Sequence, residues 1–273
     1  MNGPGARRSM RFVLVTDLDG TLLDGAYRPG PAAAALGRLR EADVPVVFCS
    51  SKTRSEQEAL RAELEVSGPF VVENGSAVLV PRPCPDLASL DGLGVHVLGV
   101  SAERCRAAVG ALRDRLGVRF RGFREMSARE VAEATGLEPA AAERARRREY
   151  SETLVGLSAA GAERLAQALA AQGLRLLSGG DHHTVTGAGA DKGAALRWLR
   201  ARLRAAVGDP RLEAVAVGDS ENDVPMLAEA DRAFLVARPD GRWPDAPSAR
   251  RLSGVGPHGF AELVDMLLGR GAG

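Results

Sequence analysis

FVLVTDLDGTLL (residues 12–23) joins an apolar run to two aspartates one residue apart, followed by Gly and Thr. Residues 11–16 read as a buried strand, and strand alternation puts Asp17 and Asp19 on the same side where it ends. Two neighbouring carboxylates repel, so something compensates them. Solvent does so in an ordinary Asp-Gly turn; a bound cation does so in a site. The rest of the chain decides between these readings.

Working outward, Pro31 to about Ala42 predicts a helix with Pro in its first turn. VPVVFC (44–49) predicts a second strand, SSKTRSEQEALRAEL a helix, and PFVVE (69–73) a third strand that ENG turns into SAVLV. Alternating strands and helices imply a parallel sheet covered by helices. After the Pro-rich seam PRPCPD (81–86) the pattern changes. GVHVLGV, a helix from Ser101 to Leu116, a helical stretch from Ser127 to Arg148, strand SETLVGL, a helix from Ala159 to Ala171, GLRLLS and HHTVTG form a block of their own. The first pattern then resumes with a helix at 191–206, strand EAVAVG (213–218), a helix from Asp223, strand RAFLV and a helix near 259–268. The fold class expected is α/β: a Rossmann-like parallel-sheet core, 11–86 and 189–273, interrupted by an α/β cap domain, 87–188. Residues 1–10, polar and Gly-rich, are expected to be a disordered lead-in.

The 273 residues suffice for a large core, and a formal net charge of +1 argues against nucleic acid or an acidic membrane surface as partner. No apolar stretch is long enough to span a bilayer, and no signal peptide opens the chain. Cys49, Cys84 and Cys105 lack metal-ligand spacing and their odd number argues against a disulfide framework, so a reducing cytoplasm is expected. The basic residues are 34 Arg but only two Lys, Lys52 and Lys192. Where Arg has replaced Lys so widely, the two survivors mark places that need a compact ammonium. Asn is equally scarce: Asn2, Asn74 and Asn222.

In open parallel sheets, ligands bind beyond the carboxyl ends of the strands. Three strands end there in polar clusters: Asp17-Leu18-Asp19, Ser50-Ser51-Lys52-Thr53 and Gly218-Asp219-Ser220-Glu221-Asn222-Asp223. A fourth cluster, Asp191-Lys192-Gly193, opens a helix. Each alone reads equally well as a turn or an N-cap. Together, in order, and with both lysines among them, they supply carboxylates for a hard cation, hydroxyl and helix-terminal amides for a phosphate, and an ammonium. Mg²⁺, which takes one or two carboxylates plus phosphate and water, matches that set.

These motifs resemble the haloacid dehalogenase superfamily of phosphotransferases over the whole chain. Asp17-Leu18-Asp19-Gly20-Thr21 looks like its first motif, Ser50 its second, Lys192 its third and Gly218 to Asp223 its fourth. The resemblance implies that Asp17 attacks phosphorus to give a phospho-aspartyl intermediate, and that Asp19 protonates the leaving oxygen and then activates water. It further implies that Ser50 and Lys192 hold the phosphoryl oxygens. Asp17, the backbone carbonyl of Asp19, and Asp219 would bind Mg²⁺, with Ser220, Asn222 and Asp223 in support.

SSKTRSEQE, ENG, REYSE (148–152), Gly179-Gly180 followed by His, and GADKG (189–193) resemble the mannosyl-3-phosphoglycerate phosphatase subfamily. That implies a phosphorylated glycosyl-glycerate as substrate, and the Arg-rich composition fits a thermophilic source. Lys52 and Arg54 could reach a glycerate carboxylate. Ser51, Asn74, Arg148, Glu149, Ser151, Gly180, His182 and His183 are the further candidates for substrate contact. His182 and His183 point to opposite faces if they lie on a strand. Where the subfamily often carries an Arg-aromatic pair after Gly-Gly, this chain has Asp181-His182. The alternatives are a glucosyl-3-phosphoglycerate or broader sugar phosphatase, a phosphosugar mutase, and a non-catalytic sugar-phosphate sensor. The Arg/Glu-rich helices at 138–149 offer a homodimer surface, against the ordinary reading of a solvated face.

Overall fold

The computed structural model describes residues 12–84, 87, 90, 92, 94–179 and 182–269. The expectations for residues 1–10 and for Gly180 lie outside that range. The chain opens with β1 (Phe12–Thr16), α1 (Pro31–Glu41), β2 (Val46–Cys49), α2 (Arg54–Glu63), β3 (Phe70–Val72), β4 (Ala77–Leu79) and β5 (Val95–Val97). A second unit follows: α3 (Ala102–Leu116), β6 (Arg121–Gly122), α4 (Ala128–Thr135), α5 (Pro139–Ala145), β7 (Glu152–Val155), α6 (Ala159–Ala170), β8 (Leu174–Gly179) and β9 (His182–Gly187). The chain then returns through α7 (Lys192–Val207), β10 (Glu213–Gly218), α8 (Val224–Glu229), β11 (Arg232–Ala237), β12 (Arg250–Val255) and α9 (Pro257–Leu268).

The first and last groups share one eight-stranded sheet, ordered β12-β11-β10-β1-β2-β3-β4-β5. It is parallel from β12 to β3; β4 and β5 run antiparallel to their neighbours. Alternation along β1 sorts its residues. Leu14 packs with Phe48, Val215 and Val217 under α1 and α9, whereas Val13 and Val15 pack with Val47, Ala214 and Ala216 under α7 and α8. Burial on both faces is why β1 and β10 carry continuous apolar runs, residues 12–15 and 214–217, rather than alternating. The cap has its own four-stranded antiparallel sheet, ordered β6-β7-β9-β8. The helices α3 and α6 cover one face through Leu112, Leu165, Leu169, Leu154 and Val185. The fold is therefore a Rossmann-like α/β core with an inserted α/β cap.

Two local expectations need correction. GVHVLGV belongs to the core sheet, because β5 pairs with β4 through His96 opposite Val78. The helical stretch from Ser127 to Arg148 is two helices, because Gly136 ends α4 in the left-handed conformation (φ 72) and Pro139 starts α5.

Candidate active site

Parallel register gathers the catalytic edge. Thr16 lies opposite Phe48 of β2 and Val217 of β10, so the residues that follow each strand emerge side by side. The Asp17 amide donates to the Val217 carbonyl at 2.9 Å, fixing β1 to β10 at the last step before they diverge. Beyond it the chain folds into a tight turn, with the Leu23 and Thr21 amides on the Leu18 carbonyl and the Gly20 amide on Leu23. Gly20 sits at φ 84, and a Cβ there would stand 2.7 Å from Asp219 Oδ2. Only glycine permits both the left-handed backbone and that approach.

Lys192 reaches this edge from the first turn of α7, whose N-cap is the Asp191 carboxylate accepting from the Ala194 amide at 2.7 Å. Its ammonium, fully buried, donates to Asp17 Oδ1 at 2.5 Å and to Asp223 Oδ1 at 2.6 Å. Burial alone would pull the Lys192 ammonium down, but Asp17 and Asp223 outweigh it and hold it above its ordinary value. Asp17 is raised well above the usual carboxylate range, first by burial and then by the charge of Asp223, with Lys192 opposing both. Asp219 is pushed up to about 6 by burial and by Asp223, with Arg238 and Lys192 opposing. Asp223 Oδ2 meanwhile accepts from the Asp219 and Ser220 amides, both at 3.0 Å, which fixes the loop after β10.

Asp17, Asp219 and Asp223 each present an oxygen to one place, the three atoms lying within 4.8 Å of one another. Asp219 Oδ1 is buried and has no hydrogen-bond partner. A buried carboxylate oxygen without a partner is costly in a neutral surround. A hard, oxygen-seeking divalent cation would satisfy it, so these residues fit magnesium. The sequence assigned Asp223 a supporting part; the structure makes it both a member of the acidic group and a partner of Lys192.

Asp19 is placed differently from Asp17. Its carboxylate pairs with Lys52 at 2.9 Å, and the same ammonium lies 3.9 Å from Glu56 and 4.7 Å from the Tyr27 ring centre. Burial would lower Lys52, but Asp19 and Glu56 together hold it raised. Ser50 follows β2, with its hydroxyl accepting from the Lys52 amide at 3.2 Å and its carbonyl accepting from the Asn74 amide at 3.0 Å. Asn74, Asn222 and Ser220 form a chain: Asn222 Nδ2 donates to Asn74 Oδ1 at 3.1 Å, and Ser220 Oγ donates to Asn222 Oδ1 at 2.8 Å. The rare asparagines thus buttress the loops, and Asn74 spends its side-chain oxygen on Asn222.

On the cap side, Arg54 pairs with Glu149 at 3.0 Å. Arg148 is only 8% exposed and is committed to the protein, donating to Ser151 Oγ at 2.7 Å and to the Ser51 carbonyl at 2.9 Å. Ser151 is 0% exposed and donates to Glu73 Oε2 at 2.5 Å. The expectation that Arg148 and Ser151 offer free groups to a sugar does not hold in this arrangement. His182 and His183 lie on opposite faces of β9. His183 is paired across the ladder with Leu154 on the helix-packed face, and His182 has its ring edge-on to Phe123 at 6.1 Å. The described nitrogens His182 Nε2 and His183 Nδ1 are buried and have no hydrogen-bond partner.

The sequence model of the haloacid dehalogenase-like hydrolase family matches residues 14–83, and that of sucrose-6F-phosphate phosphohydrolase matches residues 121–244. A glucosyl-3-phosphoglycerate/mannosyl-3-phosphoglycerate phosphatase of Methanococcoides burtonii is 33% identical over 271 residues, 96% of this chain and 98% of that protein. A mannosyl-3-phosphoglycerate phosphatase of Pyrococcus horikoshii is 36% identical over 228 residues, 82% of this chain and 90% of its own length. The chain belongs to the haloacid dehalogenase-like hydrolases, in their phosphatase branch. The fold agrees: a haloacid dehalogenase-like hydrolase from Bacteroides thetaiotaomicron superposes with a TM-score of 0.69 at 18% identity, covering 94% of this chain and 99% of that one.

Two residues of this haloacid dehalogenase-like hydrolase escaped the sequence. Arg238, just past β11, brings its Nε to 3.9 Å from Asp219 Oδ2. Its position beyond a strand's carboxyl end was the available signal, hidden among so many arginines. Glu73 was read as a turn former, yet its buried carboxylate takes donors from three successive residues of the cap. Among the described residues no helix is long and apolar enough to cross a membrane.

Proposed function

We propose that the protein is a Mg²⁺-dependent phosphomonoesterase acting on glycosyl-3-phosphoglycerates, with mannosyl-3-phosphoglycerate the leading substrate and mannosylglycerate and phosphate the products. The observation that carries this is the convergence of Asp17, Asp219, Asp223 and Lys192 at one buried edge, in a chain matched over 96% of its length by a phosphatase named for those esters. Lys192 opposes the burial and the Asp223 charge that raise Asp17, and so favours the ionised form that a carboxylate nucleophile requires. Asp17 then attacks phosphorus as the bond to the bridging oxygen breaks. Asp19, at the mouth of the turn, gives that oxygen a proton and afterwards takes one from the water that hydrolyses the phospho-aspartate. Asp17, Asp219 and the Asp19 carbonyl, with Asp223 behind them, would hold magnesium, which supplies charge neutralisation on the phosphoryl group.

Ser50 and Lys192 are assigned to the phosphoryl oxygens. Lys52, half of an ion pair with Asp19, is the cation we assign to the glycerate carboxylate. Ser51, Arg54, Asn74, Glu149, His182 and Gly180 are the remaining groups assigned to the substrate side; His183, on the helix-packed face of β9, is not among them. The buried cysteines Cys49, Cys84 and Cys105 accord with a cytoplasmic setting. A glucosyl ester is the second reading, favoured because relatives from Methanococcoides burtonii and Persephonella marina carry both sugars in their names. The test is phosphate release by purified protein with Mg²⁺, comparing mannosyl- and glucosyl-3-phosphoglycerate with simple hexose phosphates. The expected result is a kcat/KM clearly highest for one or both glycosyl-glycerate esters. Equal values across simple hexose phosphates would contradict the narrow assignment and leave the phosphatase chemistry standing.

A further inference from the structure

The turn Glu73-Asn74-Gly75 has three successive residues in the left-handed region, at φ 50, 60 and 88. That conformation is disfavoured for Glu and Asn, and two such residues in a row persist only where the surroundings over-determine them. The surroundings here are three segments of the site: the one after β2, the start of α7 and the loop after β10. The Glu73 amide donates to the Lys52 carbonyl and the Asn74 amide to the Ser50 carbonyl, both at 3.0 Å. Gly75 lies so close to the start of α7 that a Cβ on it would stand 2.1 Å from the Asp191 carbonyl carbon. Asn74 Oδ1 receives Asn222 from the loop after β10.

The same turn grips the cap. The Glu73 carboxylate, in a residue with 0% exposure, accepts from the Glu149 amide at 2.7 Å, the Tyr150 amide at 3.0 Å and the Ser151 hydroxyl at 2.5 Å. Arg148 Nε stands 3.7 Å away and balances its charge. One residue on, Ser76 holds both connections between the units. Its carbonyl accepts from the Leu98 and Gly99 amides at 2.9 Å, and its hydroxyl lies 2.8 Å from Thr186 Oγ1 of β9. Charge-assisted bonds donated to a fully buried carboxylate are the strong ones in this set.

We propose that Glu73 is a positioning residue for the phosphatase reaction. It makes no contact with substrate but locks residues 149–151 of the cap to the turn that orders Ser50, Lys52 and Lys192. Through it the sugar-facing side of the site and the phosphoryl-facing side keep one register. The loss of Glu73 then affects substrates in proportion to how far they reach into the cap. This rests on the reading that the natural substrate is a glycosyl-phosphoglycerate large enough to touch both units.

The test compares wild type, Glu73→Gln and Glu73→Asp on mannosyl-3-phosphoglycerate and on p-nitrophenyl phosphate, which is too small to need the cap. Glu73→Gln offers an NH₂ to a nest of donors, so the cap loosens. Its kcat/KM on the glycosyl ester is expected to fall by about 10²-fold, the scale of a 1 Å misplacement. On the small ester, kcat is expected to change by less than about threefold. Glu73→Asp, which keeps the charge, recovers part of the loss. Equal losses on both esters, or none on either, would overturn the proposal. Should wild type cleave p-nitrophenyl phosphate but not the glycosyl ester, the substrate reading fails instead. Hydrogen exchange on wild type covers the case in which Glu73→Gln does not fold. The Glu149 and Tyr150 amides are expected to exchange as slowly as those of β7, and exchange at exposed-loop rates would count against the lock.

Discussion

Replacing Lys192 by Met removes the one ammonium that sits between Asp17 and Asp223. Met keeps most of the side chain's volume, so the change is mainly electrostatic. Both partners lie at 2.5–2.6 Å and both carboxylates are buried. Asp219, the third member of the acidic group, has an oxygen within 4.8 Å of theirs. Removing one side of a buried ion pair costs about 3–5 kcal/mol, because the other side stays behind uncompensated. At about 2–4 °C per kcal/mol for a chain of this size, the melting temperature without metal should fall by roughly 6–20 °C. Adding Asp223→Asn to Lys192→Met removes one of the stranded charges and should restore a good part of that loss. Mg²⁺ should raise the melting temperature of Lys192→Met by more than that of wild type, since the ion meets one more uncompensated negative charge. Differential scanning fluorimetry in EDTA and in Mg²⁺ reads all three. A Lys192→Met melting temperature unchanged in EDTA, or a double variant less stable than the single, would refute the reasoning.

Gly20→Ala places a methyl 2.7 Å from Asp219 Oδ2 at a left-handed φ of 84. It should cost about 1–3 kcal/mol by strain and raise the Mg²⁺ concentration needed for half-maximal phosphate release; unchanged metal dependence would contradict the close approach. Thr53→Ala removes the cap of α2, in which Thr53 Oγ1 accepts from the Glu56 amide at 3.2 Å and Glu56 Oε2 accepts from the Thr53 amide at 2.8 Å. The expected loss is about 1 kcal/mol in denaturant unfolding, with kcat little changed. Asp219→Asn should leave the fold intact and shift the Mg²⁺ requirement upward by an order of magnitude or more, on the scale seen when a metal site loses a supporting group; the same half-saturating Mg²⁺ as wild type would remove Asp219 from the metal site.

The core was legible because a strand buried on both faces leaves an unmistakable apolar run, and β1, β2, β10 and β11 are such runs. β12 was not, since only Leu252 of RRLSGV is buried; an edge strand with one anchoring side chain has no periodicity to read. Likewise GVHVLGV could not announce its sheet: Val95 and Val97 are exposed, and only pairing with β4 assigns β5 to the core. In the site, Asp17, Lys192, Asp219 and Asp223 could be found from sequence because each follows a strand or opens a helix, positions where chemistry collects. Glu73 could not, because two of its three donors are backbone amides, which no side-chain pattern encodes.

The central claim is that Asp17, paired with Lys192, takes the phosphoryl group. Rapid quench of wild type mixed with a ³²P-labelled phosphate ester and Mg²⁺, followed by peptide mapping, tests it most directly. Label should appear on the peptide carrying Asp17 within the first turnover, and should be absent from Asp17→Asn together with phosphate release. Turnover by Asp17→Asn at the wild-type rate, or first-turnover label fixed to a different residue, would contradict the account.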